Sequence, residues 1–304
     1  MHRFIQPLSL GMLLCSLAGG CATIRRFNPI ESRTLEARQL TQQAESAMHR
    51  SDWDNAELKL VTAVERCPND NRARACLAEV LWQRGAKKAA VEQLSKSIEL
   101  SGRRDPVELT ELGRMHLAMG NPLTALQFAD EAIGRDESQA AAWTLRGFAL
   151  NEQGRSKEAL AAYFRSLSLR NDDPQTRLEI ARIYRELGEP QRALAILDAA
   201  ATATPDQTCP HHADVCYLRG LLLRDLQRPG DAVLAFLAAR ESGCTSPDLL
   251  LCLADAQLSA GEIPRARDTL IEAAAQSGPE DAAVLAELRR RVDVTESAET
   301  SMWR

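Results

Sequence analysis

Residues 140–173 read AAAWTLRGFALNEQGRSKEALAAYFRSLSLRNDD. Gly154 divides this stretch. It ends a first helix, where the backbone must turn left-handed, and Ala159 lies early in a second helix. That alanine recurs along the chain as Ala56, Ala90, Ala125, Ala159, Ala193, Ala232 and Ala266, in steps of 34, 35, 34, 34, 39 and 34 residues.

Three further columns keep phase with it. Twelve residues earlier stands a small residue: Ala44, Ala78, Gly113, Gly147, Ala181, Gly220 or Ala254. Seven later come Ala63, Ser97, Ala132, Ser166, Ala200, Ala239 and Ala273. Four later the residue is large (Leu60, Leu94, Tyr163, Leu197, Phe236, Leu270), with Ala129 the exception. Five before the anchor a glycine occurs in five copies, and Ser51 and Gln227 replace it in the other two. Small residues on facing ridges let two antiparallel helices approach closely, and a bulky one fills the gap toward the next pair. The sequence is rich in alanine and leucine and only 4% aromatic, which agrees with closely packed helices rather than sheet.

Trp143, Gly147, Gly154, Ala159 and Tyr163 in this copy, and Tyr184, Gly188, Ala193, Ala200 and Pro205 in the next, resemble the tetratricopeptide repeat (TPR). Armadillo-type units run longer and pentatricopeptide units prefer about 35 residues, so both suit the spacing less well. The resemblance implies an all-α, right-handed superhelix of seven helix–turn–helix repeats at 37–70, 71–104, 106–139, 140–173, 174–207, 213–246 and 247–280. Residues 281–293 (DAAVLAELRRRVD) read as a capping helix, because a solenoid must close its last apolar face, and 294–304 as a frayed, flexible tail.

The N-terminus reads MHRFIQPLSLGMLLCSLAGGC. One early arginine, an apolar run over Leu8–Leu17 and three small residues have the form of a secretory signal. The cysteine that follows makes Leu17-Ala18-Gly19-Gly20-Cys21 resemble a bacterial lipobox, with the leucine one place earlier than usual. The resemblance implies that residues 1–20 are removed, that Cys21 is lipidated, and that residues 21–36 tether the repeats to a membrane. Ala22 in place of aspartate implies the outer membrane, facing the periplasm. An ordinary cleaved signal and an uncleaved anchor are the alternatives.

In this family the first helix of each repeat lines the binding face. Carried over by position, that face includes Trp82, Arg114, Leu117, Phe148, Asn151, Arg182, Arg185 and Tyr217. Apolar anchors among arginines suit a protein or peptide partner with some acidic groups. The plainer reading is that Trp82 and Phe148 pack on adjacent helices and the arginines are solvated. The implied role is an interaction scaffold or assembly adaptor of the bacterial envelope, as in pilotins of type IV pili, outer-membrane assembly factors and adaptors for cell-wall hydrolases. Self-assembly into a structural lipoprotein is the second reading, and a metal-binding accessory protein using the 209–216 insert the third. The sequence leaves the oligomeric state open.

Six cysteines remain after the N-terminal segment, in close pairs: Cys67/Cys76, Cys209/Cys216 and Cys244/Cys252. The first and third pairs fall at the same corner between copies. An exported compartment permits oxidation, so local disulfides are expected, with buried thiols the alternative. Cys209, His211, His212 and Cys216 lie in an insert and contain the right atoms for zinc, but at no standard spacing, so no metal and no cofactor is expected. His116 reads as a packed residue of a first helix. The net charge of -5 and pI near 5.7 argue against bulk binding of nucleic acid. Neither a nucleophile elbow nor a phosphate loop nor an HExxH helix is present, so the chain reads as a binding protein rather than an enzyme.

Overall fold

The computed structural model describes residues 29–302 except 171–172, 204–210, 247, 277, 279 and 280. Among the described residues there are fifteen α-helices and no strand. Fourteen form seven hairpins: α1 (Pro29–Met48) with α2 (Trp53–Arg66), α3 (Asn71–Gln83) with α4 (Lys87–Leu100), α5 (Pro106–Ala118) with α6 (Pro122–Arg135), and α7 (Ala140–Asn151) with α8 (Ser156–Leu169). The series continues as α9 (Pro174–Glu186) with α10 (Pro190–Ala203), α11 (His212–Asp225) with α12 (Pro229–Glu241), and α13 (Leu249–Ser259) with α14 (Ile263–Gln276), and α15 (Ala282–Met302) follows. The helices belong to two compact units, one ending at Leu100 and one beginning at Ser101.

Each hairpin turns in the same way. The N–H four residues before the anchor alanine donates to the carbonyl five residues back, closing the first helix with a Schellman bond. The seven pairs are Asp52 to Ala47, Ala86 to Leu81, Asn121 to His116, Arg155 to Leu150, Glu189 to Tyr184, Arg228 to Leu223 and Glu262 to Gln257, at 2.8–3.0 Å. The residue between must take a positive φ. Gly154 does so at 73°, and Ser51 and Gln227 are held in the same region at 58° and 57°. The two copies without glycine therefore keep the turn and carry its strain.

The small columns are the helix contact. All seven anchor alanines are fully buried. The column twelve residues earlier reads against the one four later. Where the later residue is leucine (Leu60, Leu94, Leu197, Leu270), the earlier is alanine; where it is Tyr163 or Phe236, the earlier is glycine. A Cβ on Gly147 would lie 2.5 Å from the Tyr163 ring, and one on Gly220 2.5 Å from the Phe236 ring. An aromatic at this contact thus requires the loss of a methyl group opposite it. The odd copy obeys another pairing: Gly113 faces Phe128 and Leu145, and Ala129 is small. Where the column seven after the anchor is serine, the hydroxyl is used. Ser97 donates to Asn71 O at 2.8 Å and Ser166 to Ala140 O at 3.0 Å, each tying the second helix to the start of its own first helix.

Two expectations about segment limits are corrected. The first helix begins at Pro29 rather than 37, so the second half of the 21–36 tether is helical. Pro29 opens it, and neither glycine nor proline follows within it. At the other end α15 does not stop at 293 with a flexible tail behind it; it continues to Met302 through a run free of helix breakers. At the start of the second unit the one-residue extra step is taken up by Gly102 and Arg103, both with positive φ (69° and 57°), before Asp105 caps α5 with its carboxylate on the Val107 N–H at 2.8 Å.

Candidate protein-interaction grooves

The face formed by first helices in the second unit carries two grooves. One, of about 560 Å³, lies between α5 and α7 and reaches the start of α9. Leu117, Leu145 and Phe148 supply apolar lining, and Arg114, Glu152, Arg170 and Asp173 supply charge. Phe148 stands edge-on to the buried Tyr163 ring, 5.6 Å away at 88°, so its position is fixed by the same aromatic that Gly147 admits. Arg114 is 55% exposed and meets Glu111 only at 3.8 Å.

A chain of hydroxyls runs behind this groove. Thr176 donates to Asp173 Oδ2 at 2.6 Å, Thr144 lies 3.1 Å from Thr176 and 2.7 Å from Ser166, and Ser166 reaches Ala140 O. With the Thr176 proton given to Asp173 and the Ser166 proton to Ala140 O, Thr144 has one proton for its two hydroxyl neighbours, and the chain links α7, α8 and α9. Sequence reasoning missed Thr144 and Thr176; the serine at the position of Ser166 and the threonine fifteen residues before the anchor in three copies (Thr41, Thr110, Thr144) were the visible signals, and Thr176 repeats in no other copy. The Tyr163 hydroxyl has no hydrogen-bond partner among the described residues, and burial among Glu179 and Glu152 pushes it well above the usual phenol range.

The second groove, of about 760 Å³, is lined from α11, α13 and α15, with Arg185 of α9 at its edge. Tyr217 and Leu221 come from α11, Leu251 and Cys252 from α13, and Val284 and Leu288 from α15. Its arginines already have carboxylates beside them. Arg185 holds Asp225 at 2.7 Å, Arg291 holds Asp255 at 2.6 Å, and Arg224 lies 3.8 Å from Asp225 and 3.7 Å from Cys252 Sγ. Burial pushes the Tyr217 hydroxyl up to about 12.

The eight residues expected on one face are therefore distributed. Arg114, Leu117 and Phe148 share the first groove; Arg185 and Tyr217 belong to the second. Arg182 is tied to Glu179 on its own helix at 3.0 Å, and Asn151, half-buried at the end of α7, lines neither. Trp82 is in the first unit, half-buried, with the Lys87 ammonium 5.6 Å from its ring centre. Arginine lines this face mostly as half of an ion pair.

The cysteines differ from expectation. All five that are described are free thiols, so Cys67–Cys76 and Cys244–Cys252 are not bonded. Cys67 ends α2 against Ala37, Ala63 and Ala73, whereas Cys76 packs in a separate cluster with its Sγ 3.7 Å from Glu45 Oε1. Burial and that carboxylate push the Cys76 thiol up to about 12. Cys252 faces the Tyr217 hydroxyl at 3.9 Å and Arg224. Cys216 lies 3.6 Å from His212 Nε2, and its expected partner Cys209 is outside the described residues, as is Cys21. Among the described residues there is no group of three or more His, Cys, Asp or Glu side chains able to hold a metal ion, and no helix long and apolar enough to cross a membrane. His116 stacks on Phe128 at 5.5 Å, and burial lowers its proton affinity.

Comparison with known proteins agrees with this architecture. Tetratricopeptide-repeat family models match residues 41–106, 110–175 and 150–216. No curated protein matches the chain. Similar solved structures include PilF of Pseudomonas aeruginosa (20% identity, TM-score 0.61, covering 74% of this chain and 98% of that one). Others are PilW, a widely conserved type IV pilus biogenesis factor (18%, 0.62, 70% and 96%), and a tetratricopeptide repeat protein of Parabacteroides merdae (14%, 0.61, 85% and 99%). At these identities the likeness is one of fold, a fold that typically serves as a non-catalytic scaffold for protein partners. With the matched segments spanning more than half of its length and the hairpins repeating their turn and contact residues in register, the chain belongs to the tetratricopeptide repeat family.

Proposed function

We propose that this chain is a lipid-anchored docking scaffold of the bacterial envelope, held to the outer membrane through Cys21 and offering its first-helix face to a protein or peptide partner in the periplasm. It acts by binding, without catalysis. The observation that carries the docking role is the first groove. There Arg114, Leu117 and Phe148 meet on one surface, an apolar floor beside a cation with only a 3.8 Å contact to its nearest carboxylate. An apolar anchor next to an acidic group is the ligand such a floor selects. The anchor rests on the sequence Leu17-Ala18-Gly19-Gly20-Cys21, and the likeness to PilW, a type IV pilus biogenesis factor, supports an assembly role over other scaffolding.

The experiment has two arms. A photo-crosslinking amino acid at Phe148 in living cells gives a discrete adduct that Arg114→Glu removes, while the same probe at the exposed Leu123 gives none. Absence of an adduct at Phe148 refutes the docking role. Labelling with radioactive palmitate, followed by membrane fractionation, tests the anchor: label is expected in the outer membrane, and its persistence in Cys21→Ala refutes lipidation at that cysteine.

A further inference from the structure

The second groove differs from the first in the sign of the charge it leaves unanswered. Its floor is apolar: Leu221, Leu251, Val284 and Leu288 converge from α11, α13 and α15, and Val284 is 49% exposed there. Arg185 and Arg291 each hold a carboxylate, at 2.7 and 2.6 Å, so an acidic ligand would have to break an existing contact there, and Arg224 lies against Cys252 Sγ with Asp225, already bonded to Arg185, at 3.8 Å. Two aspartates stand otherwise. Asp248 precedes α13 and makes no capping bond with its side chain, and Asp281 precedes α15; neither has an ion-pair partner among the described residues. The lining thus holds three arginines against four acidic residues, with the excess at the end where α13 and α15 begin.

We propose that this groove binds a short segment of a partner protein that places apolar side chains on the floor and a lysine or arginine between Asp248 and Asp281. The assignment rests on the docking role above and gives the second groove a basic, apolar ligand, opposite in charge to that of the first. The argument is charge complementarity: a buried apolar contact provides affinity, and the two aspartates reject an acidic competitor, because like charges placed together cost more than a rim ion pair returns.

Selection of a random twelve-residue peptide library displayed on phage tests this, with the full chain immobilised in non-ionic detergent. Three proteins are compared: unchanged, Asp248→Lys/Asp281→Lys, and Arg114→Glu. Circular dichroism confirms equal helix content; Asp248→Asn/Asp281→Asn serves if the lysine pair does not fold. Peptides combining apolar residues with lysine or arginine are expected, binding at least about tenfold more weakly to the aspartate variant and unchanged to Arg114→Glu. Acidic peptides lost with Arg114→Glu belong to the first groove and support the docking role alone; the absence of any enriched basic peptide, or basic peptides that ignore the aspartate substitutions or are lost with Arg114→Glu, overturns the inference. Failure to enrich any peptide overturns both. Peptides derived from this chain that compete through the same aspartates identify a second copy as the occupant and overturn the assignment to a different protein.

Discussion

At the scale of single residues, the repeat is a set of exchangeable contacts. Glycine opposite tyrosine and alanine opposite leucine fill the same space between two helices, so the pair rather than either residue is the unit. Gly147→Ala should cost about 1–3 kcal/mol, because the new methyl meets the Tyr163 ring at 2.5 Å. Tyr163→Leu in the same chain should return much of that loss. A double-mutant cycle read by urea denaturation checks it, and additive effects would show that the contact does not govern the choice of residue. The turn makes the complementary case. Gln227, at a φ of 57°, occupies a position that five other copies give to glycine. Gln227→Gly should stabilise by about 0.5–1 kcal/mol, the relief of left-handed strain less the added freedom of the unfolded chain. A lower melting temperature for that variant would contradict the strain.

At the scale of helices, a solenoid element is stable through its neighbours, and among the described residues α15 packs chiefly on α13 and α14. Leu285, Leu288 and Val292 of α15 close the cluster formed by Leu251, Ala254, Ile263 and Leu270. Leu288→Ala should cost about 2–4 kcal/mol locally. Hydrogen exchange should quicken through α13 to α15 and remain unchanged in α5 to α8, since coupling passes between adjacent hairpins. Equal loss of protection in both regions would argue for a single cooperative body within this unit. The helices were legible in the amino-acid sequence where columns repeat: the anchor alanines, the turn position and the hairpin order follow from spacing. The ends were not, because residues 29–36 of α1 and the second half of α15 have no repeating partner, and only the absence of glycine and of further proline marks them as helical. The face was read too simply for a related reason. Spacing places Arg182, Arg185 and Arg114 on first helices, but whether a guanidinium is open to a ligand depends on Glu179, Asp225 and Glu111, which lie outside the repeating positions. The cysteine corners illustrate the same limit: Cys67 and Cys76 are nine residues apart, yet one turns toward Ala73 and the other toward Glu45.

At the scale of the whole molecule, the same close packing sets how the fold responds to alkali. Burial raises the thiols of Cys76, Cys216 and Cys252 and the phenols of Tyr163 and Tyr217, in both units. Unfolded, a thiol ionises near 9.0 and a phenol near 10.0; folded, Cys76 and Tyr217 hold their protons to about 12. Above pH 9 the native chain therefore binds more protons than the unfolded one, and stability must fall as the pH rises. Under reducing conditions the urea midpoint should be nearly level from pH 7 to 8.5 and decline steeply between pH 9 and 11. Tyr217→Phe and Cys76→Ala should each make that decline shallower, whatever they do at neutral pH, because a group that cannot ionise contributes no slope. A midpoint that stays level to pH 11, or a slope indifferent to both substitutions, would mean that these groups reach water in the native state and that the hairpins are packed more loosely than their alanine and glycine columns require.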